Sequence, residues 1–144
     1  MKTLKTKTVN VVMCWNSLKQ IPPKEYETIE QIERVSDILD LFKSGIKDFA
    51  DLIEEGEQLH KDIQSKKFKT EQIVENRGNF QAKSNALEDR KGKELVEIEF
   101  EDAVFNTFFQ LFEKWGKNWF QEIGSFIAFR KEMNATNQQT KGKK

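Results

Sequence analysis

The feature that most constrains the fold is an aromatic segment at residues 101–133, which holds nine of the sixteen aromatic residues of the chain. At about 100° per residue, these rings and the aliphatic side chains among them fall within roughly half of a helical circumference. Polar side chains fill the other half. The segment is therefore predicted to form one long amphipathic helix over residues 102–133, with Asp102 as its N-cap.

This apolar face is wider than the stripe of roughly 100° that a helix needs to pack on a core. We therefore expect the helix to contact more than one neighbouring element, with another chain as one candidate. The aromatic residues predicted to serve as core and interface together are Phe105, Phe108, Phe109, Phe112, Trp115, Trp119 and Phe120.

The clearest strand lies at residues 94–101, with the sequence ELVEIEFE. Apolar residues alternate with glutamates, and the period of two places them on opposite faces of a strand. The predicted partner strand is the N-terminal segment, residues 5–14, where apolar residues also alternate and where lysines would lie opposite the glutamates. A competing prediction makes residues 8–18 a helix, because Val11, Trp15 and Leu18 share one helical side.

Residues 24–63 carry apolar side chains at alternating spacings of four and three over about four heptads. This pattern predicts a long helix or a helical hairpin packed on the aromatic helix. Gly45 and Gly56 are the candidate breaks, since glycine costs about 1 kcal/mol relative to alanine inside a helix. Together these elements predict an α+β, mainly helical fold with a small two-stranded sheet.

The polar segment at residues 64–93 contains turn signals around Gly78 and Gly92, so we predict a short helix over residues 70–76 and a loop elsewhere. Its eight basic and four acidic residues give a net charge of +4. No pattern of a known nucleic-acid-binding motif accompanies these charges. The composition therefore favours a basic loop lying over the acidic helices, and nucleic acid is not expected as a partner.

Charges are segregated along a chain whose formal net charge is zero. Residues 24–62 carry five basic and twelve acidic residues, a net charge of −7. Segregation of this kind favours complementary contacts within the fold or between copies, although most charged runs are simply solvated. The candidate acidic surface consists of Glu54, Glu55 and Glu57.

The residue inventory argues against most enzymes. Cys14 is the only cysteine and His60 the only histidine, so neither a disulfide within the chain nor a cluster of Cys or His metal ligands can form. His60 falls on the heptad seam and is predicted to be a core or edge residue. Gly-rich phosphate loops, GxSxG and HExxH are absent from the sequence. We therefore expect no catalytic residue, metal, cofactor or small-molecule substrate.

No apolar run approaches the length of a membrane span, and residues 11–15 are too short for the apolar part of a signal peptide. We expect a protein that neither spans a membrane nor is secreted through a signal peptide. Residues 1–133 are predicted to form a single domain. Residues 134–144 are predicted to be a polar, basic tail.

The chain begins with the lysine-rich KTLKTKTVNVV and continues with a heptad helix rich in lysine and glutamate, a polar middle, ELVEIEFED and a final helix. This layout resembles small proteins encoded by tailed bacteriophages with AT-rich genomes. The resemblance implies a virion part, an assembly factor or a host-takeover protein, and it carries over no functional residue.

From these observations we expect a non-enzymatic structural or assembly protein of a phage particle. It would contact copies of itself or other virion proteins, in the virion or in the host cytoplasm. The alternative is a small phage-encoded inhibitor that docks its acidic helix on a host enzyme.

Overall fold

A computed structural model describes residues 1–139 of the chain, the side chain of Lys91 excepted. These residues form, in order, β1 (Lys2–Lys7), α1 (Thr8–Lys19), α2 (Ile29–Gly45), α3 (Lys47–Gln64), α4 (Thr70–Lys91), β2 (Leu95–Phe100), α5 (Asp102–Trp115) and α6 (Ile123–Asn137). Short 3-10 turns lie at Pro23–Glu25 and Gly116–Asn118. The predicted α+β, mainly helical fold is confirmed.

β1 and β2 pair antiparallel, with Lys5 opposite Glu97. The Lys5 Nζ atom lies 3.9 Å from Glu97 Oε1, the opposite-charge arrangement that the sequence predicted. Ile98 and Phe100 are buried whereas Glu97 and Glu99 are exposed. The predicted strand at residues 94–101 and its pairing with the N-terminal segment are therefore confirmed.

The prediction of a strand across residues 5–14 was wrong beyond Lys7, where the chain turns directly into α1. The competing helical prediction holds from Thr8 onward. α1 buries Val11, Trp15 and Leu18 at helical spacing, and it packs against α2. A helix is favoured here because it places all three side chains in the core, whereas a strand would point Leu18 away from the other two.

The heptad segment forms two helices rather than one, and the break comes at Gly45 as predicted. A Cβ atom at Gly45 would lie 2.5 Å from Ile98 Cδ1, so the glycine allows α2 to approach the sheet closely. Gly56, the other predicted break, lies inside α3. A Cβ atom there would lie 2.6 Å from Phe80 Cζ, so this glycine lets the Phe80 ring of α4 pack against α3.

The predicted loop over much of residues 64–93 was wrong, because residues 70–91 form the single helix α4. α4 packs antiparallel to α3, and Lys83 and Arg90 form ion pairs with Glu55 and Asp48 of α3. The basic segment therefore lies over an acidic helix, as its charge pattern indicated. Its periodic signal is weak because the helix buries little of its own surface.

The aromatic segment forms two helices instead of the predicted one, since α5 ends at Trp115 and α6 begins at Ile123. α6 folds back on α5, so that the Phe112 ring lies 5.6 Å from Phe126 and 5.4 Å from Phe129. The wide apolar face of α5 is covered partly by the segment's own second half and partly by α2 and β2. The predicted N-cap was off by one residue: Asp102 is the first residue of α5, and Glu101 precedes it as the cap.

The helical part of the chain extends past residue 133, where the domain was predicted to end and the tail at 134–144 to follow. α6 continues to Asn137, with Met133 and Thr136 buried. Gln139 then forms two hydrogen bonds with the backbone of Thr3. Residues 140–144, the rest of the predicted tail, lie outside the described residues.

The centre of the core is an aromatic cluster between the sheet, α2 and α5. Phe108 of α5 contacts Phe42 of α2 edge-on at 5.0 Å and stacks on Phe100 of β2 at 5.9 Å. Aromatic pairs in these geometries add about 0.5–1.5 kcal/mol each beyond the burial of their area. This cluster fixes the body of the protein, from which α3 and α4 extend.

Candidate protein-interaction surface

The aromatic residues predicted as an interface lie mostly within the chain's own core. Phe105, Phe108 and Phe112 are fully buried, and Trp119 is 9% exposed. The other members of the set are half-buried and pack against the same core: Phe109, Trp115 and Phe120. Packing within the chain accounts for the width of the aromatic face. An interface role stays a prediction for the half-buried members alone.

The acidic residues predicted as a docking surface are each paired within the chain. The distances between charged atoms are 2.9 Å for Lys43–Glu54, 2.8 Å for Lys83–Glu55 and 3.7 Å for Lys19–Glu57. The hydrogen bond to Glu54 raises the pKa of Lys43 above its usual value. A basic partner would have to displace these lysines, so the surface attracts cations less than its sequence indicates.

α3 and α4 form an antiparallel hairpin, the α3–α4 hairpin, that extends away from the aromatic core. Phe49 and Ala50 are the buried residues of α3, and both lie in its first turn. None of the described side chains of α4 is buried. The rest of the seam between the two helices is therefore held by half-buried apolar side chains.

The base of the hairpin is fixed by Arg90, near the end of α4. Its guanidinium group donates hydrogen bonds of 2.8 and 3.0 Å to both carboxylate oxygens of Glu94, and these bonds lower the pKa of Glu94. It also lies 3.5 Å from Asp48 and 5.4 Å from the centre of the Phe49 ring. One side chain thus joins α3, α4 and the start of β2, which orients the hairpin relative to the body.

One face of the hairpin carries a groove in two parts, with volumes of about 400 Å³ and about 350 Å³. Glu55 and Lys83 line both parts, and their ion pair of 2.8 Å divides the groove. The apolar residues along the groove are Phe68, Leu59, Phe80, Leu52, Leu87 and Ala86. We call this surface the hairpin groove.

The hairpin groove was not predicted from the sequence because half of it lies on α4, which was predicted to be mostly loop. A signal was present: Ile73, Phe80 and Leu87 recur at intervals of seven residues. Three apolar residues at heptad spacing indicate one side of a helix facing a partner helix. The polar residues between them, together with Gly78, obscured this pattern.

Metal-ligating side chains do not cluster in the hairpin groove or elsewhere in residues 1–139. Within this range no group of three or more His, Cys, Asp and Glu residues has the geometry to hold a metal ion. His60, predicted to lie in the core or at its edge, is exposed on α3. The hairpin groove provides apolar contact surface beside the ion pair of Glu55 and Lys83.

Cys14 lies in the core with 0% exposure, and burial raises the pKa of its thiol well above the usual range. Because the thiolate is the reactive form, the folded protein is expected to resist labelling by a disulfide reagent at neutral pH. Denaturant should accelerate labelling by a factor on the order of 10³ or more, which the absorbance of the released thiol measures. Equal labelling rates for the folded and unfolded protein would contradict the buried position.

None of the helices among residues 1–139 combines the length and hydropathy that a membrane crossing requires. In comparisons with known proteins, no family model, no curated protein and no solved structure matches the chain.

Proposed function

We propose that this chain is a non-enzymatic structural or assembly protein that acts through protein–protein contacts, and that the hairpin groove is its main contact surface. The observation that supports this proposal is an apolar groove left open on a hairpin that extends from a well-packed body. Two antiparallel helices cover only one side of each other's apolar stripe. A third helix placed in the groove would cover Phe68, Phe80 and Leu87 at once.

Docking of an amphipathic helix in a groove is a common mode of recognition, in which anchors at positions i, i+3, i+4 and i+7 fill successive pockets. The two parts of the hairpin groove provide such pockets in sequence along the hairpin. The partner that fits is a helix from a second copy or from another protein of the same assembly. The resemblance to phage proteins supports a virion as the setting, with assembly in the host cytoplasm.

The alternative, an inhibitor that docks its acidic helix on a host enzyme, receives less support. Its motivating observation was the charge of Glu54, Glu55 and Glu57, and a lysine of the same chain lies beside each of these residues. A complex held by such charges would form with a stoichiometric amount of host enzyme and would dissociate in salt. Contacts through an apolar groove should instead persist in salt.

Two asparagines on α4 provide a matched test of the proposal. Asn79 is exposed and lines the hairpin groove, whereas Asn85 is exposed on another side of the helix and does not line it. Asn79→Arg places a bulky, charged side chain in the proposed contact, where removing an ion from water costs several kcal/mol. We expect assembly to weaken by a factor of at least about 100, and Asn85→Arg to leave it unchanged.

The measurement is the mass of the assembly by sedimentation, with the protein alone and with co-expressed proteins encoded beside it. Circular dichroism would verify that both variants keep their helices. Assembly by Asn79→Arg at the wild-type concentration would show that the groove is not the contact. A wild-type protein that stays monomeric and binds none of its co-expressed neighbours would refute the assembly function itself.

A further inference from the structure

The two edges of the β1–β2 sheet differ, and the outer edge of β1 is covered. The side-chain amide of Gln139 pairs with this edge as the backbone of a neighbouring strand would. Its Oε1 atom accepts a hydrogen bond of 2.9 Å from Thr3 N, and its Nε2 atom donates one of 2.9 Å to Thr3 O. The helix α6 packs against the same strand. Another chain therefore cannot pair with β1 at Thr3 without displacing this segment.

The outer edge of β2 is open. Thr8 N donates to Glu94 O at 2.8 Å, and antiparallel pairs alternate between bonded and non-bonded, so Val96, Ile98 and Phe100 are the bonded residues within β2. The backbone N–H and C=O groups of Glu97 and Glu99 then point away from β1. Within residues 1–139, no hydrogen bond to these outward groups is present. A free edge of this kind is a template for another strand.

A cleft of about 430 Å³ adjoins the end of this edge, between α2 and the start of α5. The acidic residues that line it are Asp37, Asp40, Glu99 and Glu101. None of these carboxylates forms an ion pair with a side chain that the structure describes, although the charge of Asp40 acts on Lys43. Met1 also lines the cleft, and its ammonium group pairs with Asp102 at 3.5 Å. Leu41 and Val104 provide an apolar part of the lining. We call this site the acidic cleft.

These observations indicate that a basic segment in an extended conformation would bind at the outer edge of β2. Successive side chains of an added strand point to opposite faces, so one set would lie beside Glu97 and Glu99 and the other set toward α2. Both sets would meet carboxylates. A second copy fits poorly, because antiparallel pairing of two β2 strands centred on Glu97 would place this glutamate opposite its own copy. Like charges directly opposite each other destabilise a strand pair.

We propose that the outer edge of β2 and the acidic cleft bind a lysine- or arginine-rich extended segment of a partner protein by strand addition. The backbone edge provides hydrogen bonds for any sequence, and the carboxylates select the basic one. This surface lies on the sheet, and its occupant does not depend on what the hairpin groove binds.

Hydrogen exchange separates strand addition from simple charge attraction. The probe is a synthetic peptide in which lysine and valine alternate, with a glutamate-for-lysine peptide as its control. Adding the lysine peptide should slow exchange at the outward amides of Glu97 and Glu99. The amides of Val96 and Ile98, already bonded to β1, serve as an internal reference. Binding without slower exchange at Glu97 and Glu99, or no binding, would overturn the proposal.

Charge-reversal variants test the acidic cleft, with the affinity read from fluorescence anisotropy of the labelled peptide. The double variant Asp40→Lys, Glu99→Lys should bind at least about tenfold more weakly. The matched control is Glu71→Lys, Glu75→Lys, which changes the net charge equally at exposed positions on α4. Equal losses in the two double variants would show attraction to the whole molecule and overturn the proposal.

The experiment also identifies the competing occupants. Protection of Glu97 and Glu99 that increases with protein concentration, without any peptide, would assign the edge to a second copy. The same protection at all concentrations, lost when residues 140–144 are deleted, would assign it to this chain's own lysine-containing C-terminal residues. Either result would overturn the proposal of a separate basic partner.

Discussion

Replacing Phe112 with alanine is expected to lower the free energy of unfolding by roughly 3–5 kcal/mol. Phe112 is 1% exposed, and its ring contacts Trp119, Phe126 and Phe129. It therefore joins α5 to α6 and to the turn between them. Domains of this size have total stabilities of about 5–15 kcal/mol, so the variant should be marginally folded.

The measurement is denaturant unfolding followed by circular dichroism, with the labelling of Cys14 as an independent probe. Ile123→Ala is the control, because Ile123 lies in the first turn of α6 with 78% of its surface exposed. It should change the stability by no more than about 0.5 kcal/mol. Trp115→Ala should fall between the two, since Trp115 is half-buried. Equal midpoints for Phe112→Ala and Ile123→Ala would contradict the assignment of Phe112 to the core.

The sequence predicts those elements in which the spacing of the apolar residues matches the period of a helix or a strand. β2 alternates strictly, so its position to within one residue at each end and its buried face follow from a period of two. Of the two lysines predicted to lie opposite glutamates, Lys5 does, whereas Lys7 lies opposite Leu95. The heptad pattern at residues 24–63 predicts helix for the same reason, as one long helix or a hairpin, and the structure has two successive helices, α2 and α3, of which α3 pairs with α4. At the junction of β1 and α1, the sequence fits both the strand period of two and the helical period of 3.6. The choice there depends on packing against α2, which no local pattern contains.

Elements stabilised by a distant partner are the ones that sequence reasoning missed. α4 is mostly polar and buries little of its surface, and its main neighbour is α3. There Glu55 pairs with Lys83, and Gly56 leaves space for the ring of Phe80. The aromatic residues of the segment all fall on one side of a single helical wheel. The periodicity therefore does not show where the helix ends and the next one begins. Gly116 was the local signal: it is buried beneath the ring of Phe112, which leaves no space for a side chain at the turn.

The candidate surfaces also differ in whether they show in the local sequence pattern or depend on a distant part of the chain. The predicted interface was the strongest apolar pattern in the chain, and the strongest pattern is the one that the chain itself buries in its core. The hairpin groove arises instead from residues with weak patterns on α4. The acidic cleft combines α2 with the end of β2, which are more than fifty residues apart in sequence. Surface sites of this kind depend on tertiary proximity rather than on local periodicity.

Deleting residues 1–7 is expected to abolish cooperative unfolding. β1 contributes the only strand that pairs with β2 among residues 1–139, and its Leu4 and Thr6 side chains are 0% exposed. Losing a buried leucine side chain alone costs roughly 2–5 kcal/mol. The deletion also removes the 2.6 Å hydrogen bond from Thr6 Oγ1 to Glu132 Oε1, which joins β1 to α6. The combined loss approaches the whole stability of a domain.

Hydrogen exchange at Val96 and Ile98 gives the direct measurement, since the N–H groups of both residues bond to β1 in the intact chain. In the shortened chain these amides should exchange at nearly unprotected rates, and Cys14 should become reactive. Lys5→Ala provides the control within the same strand, because Lys5 is exposed and its ion pair with Glu97 is worth about 0–1 kcal/mol. Slow exchange at Val96 and Ile98 after the deletion would mean that another segment takes the place of β1 on the same edge of β2, and the assignment of β1 as the required partner would be wrong.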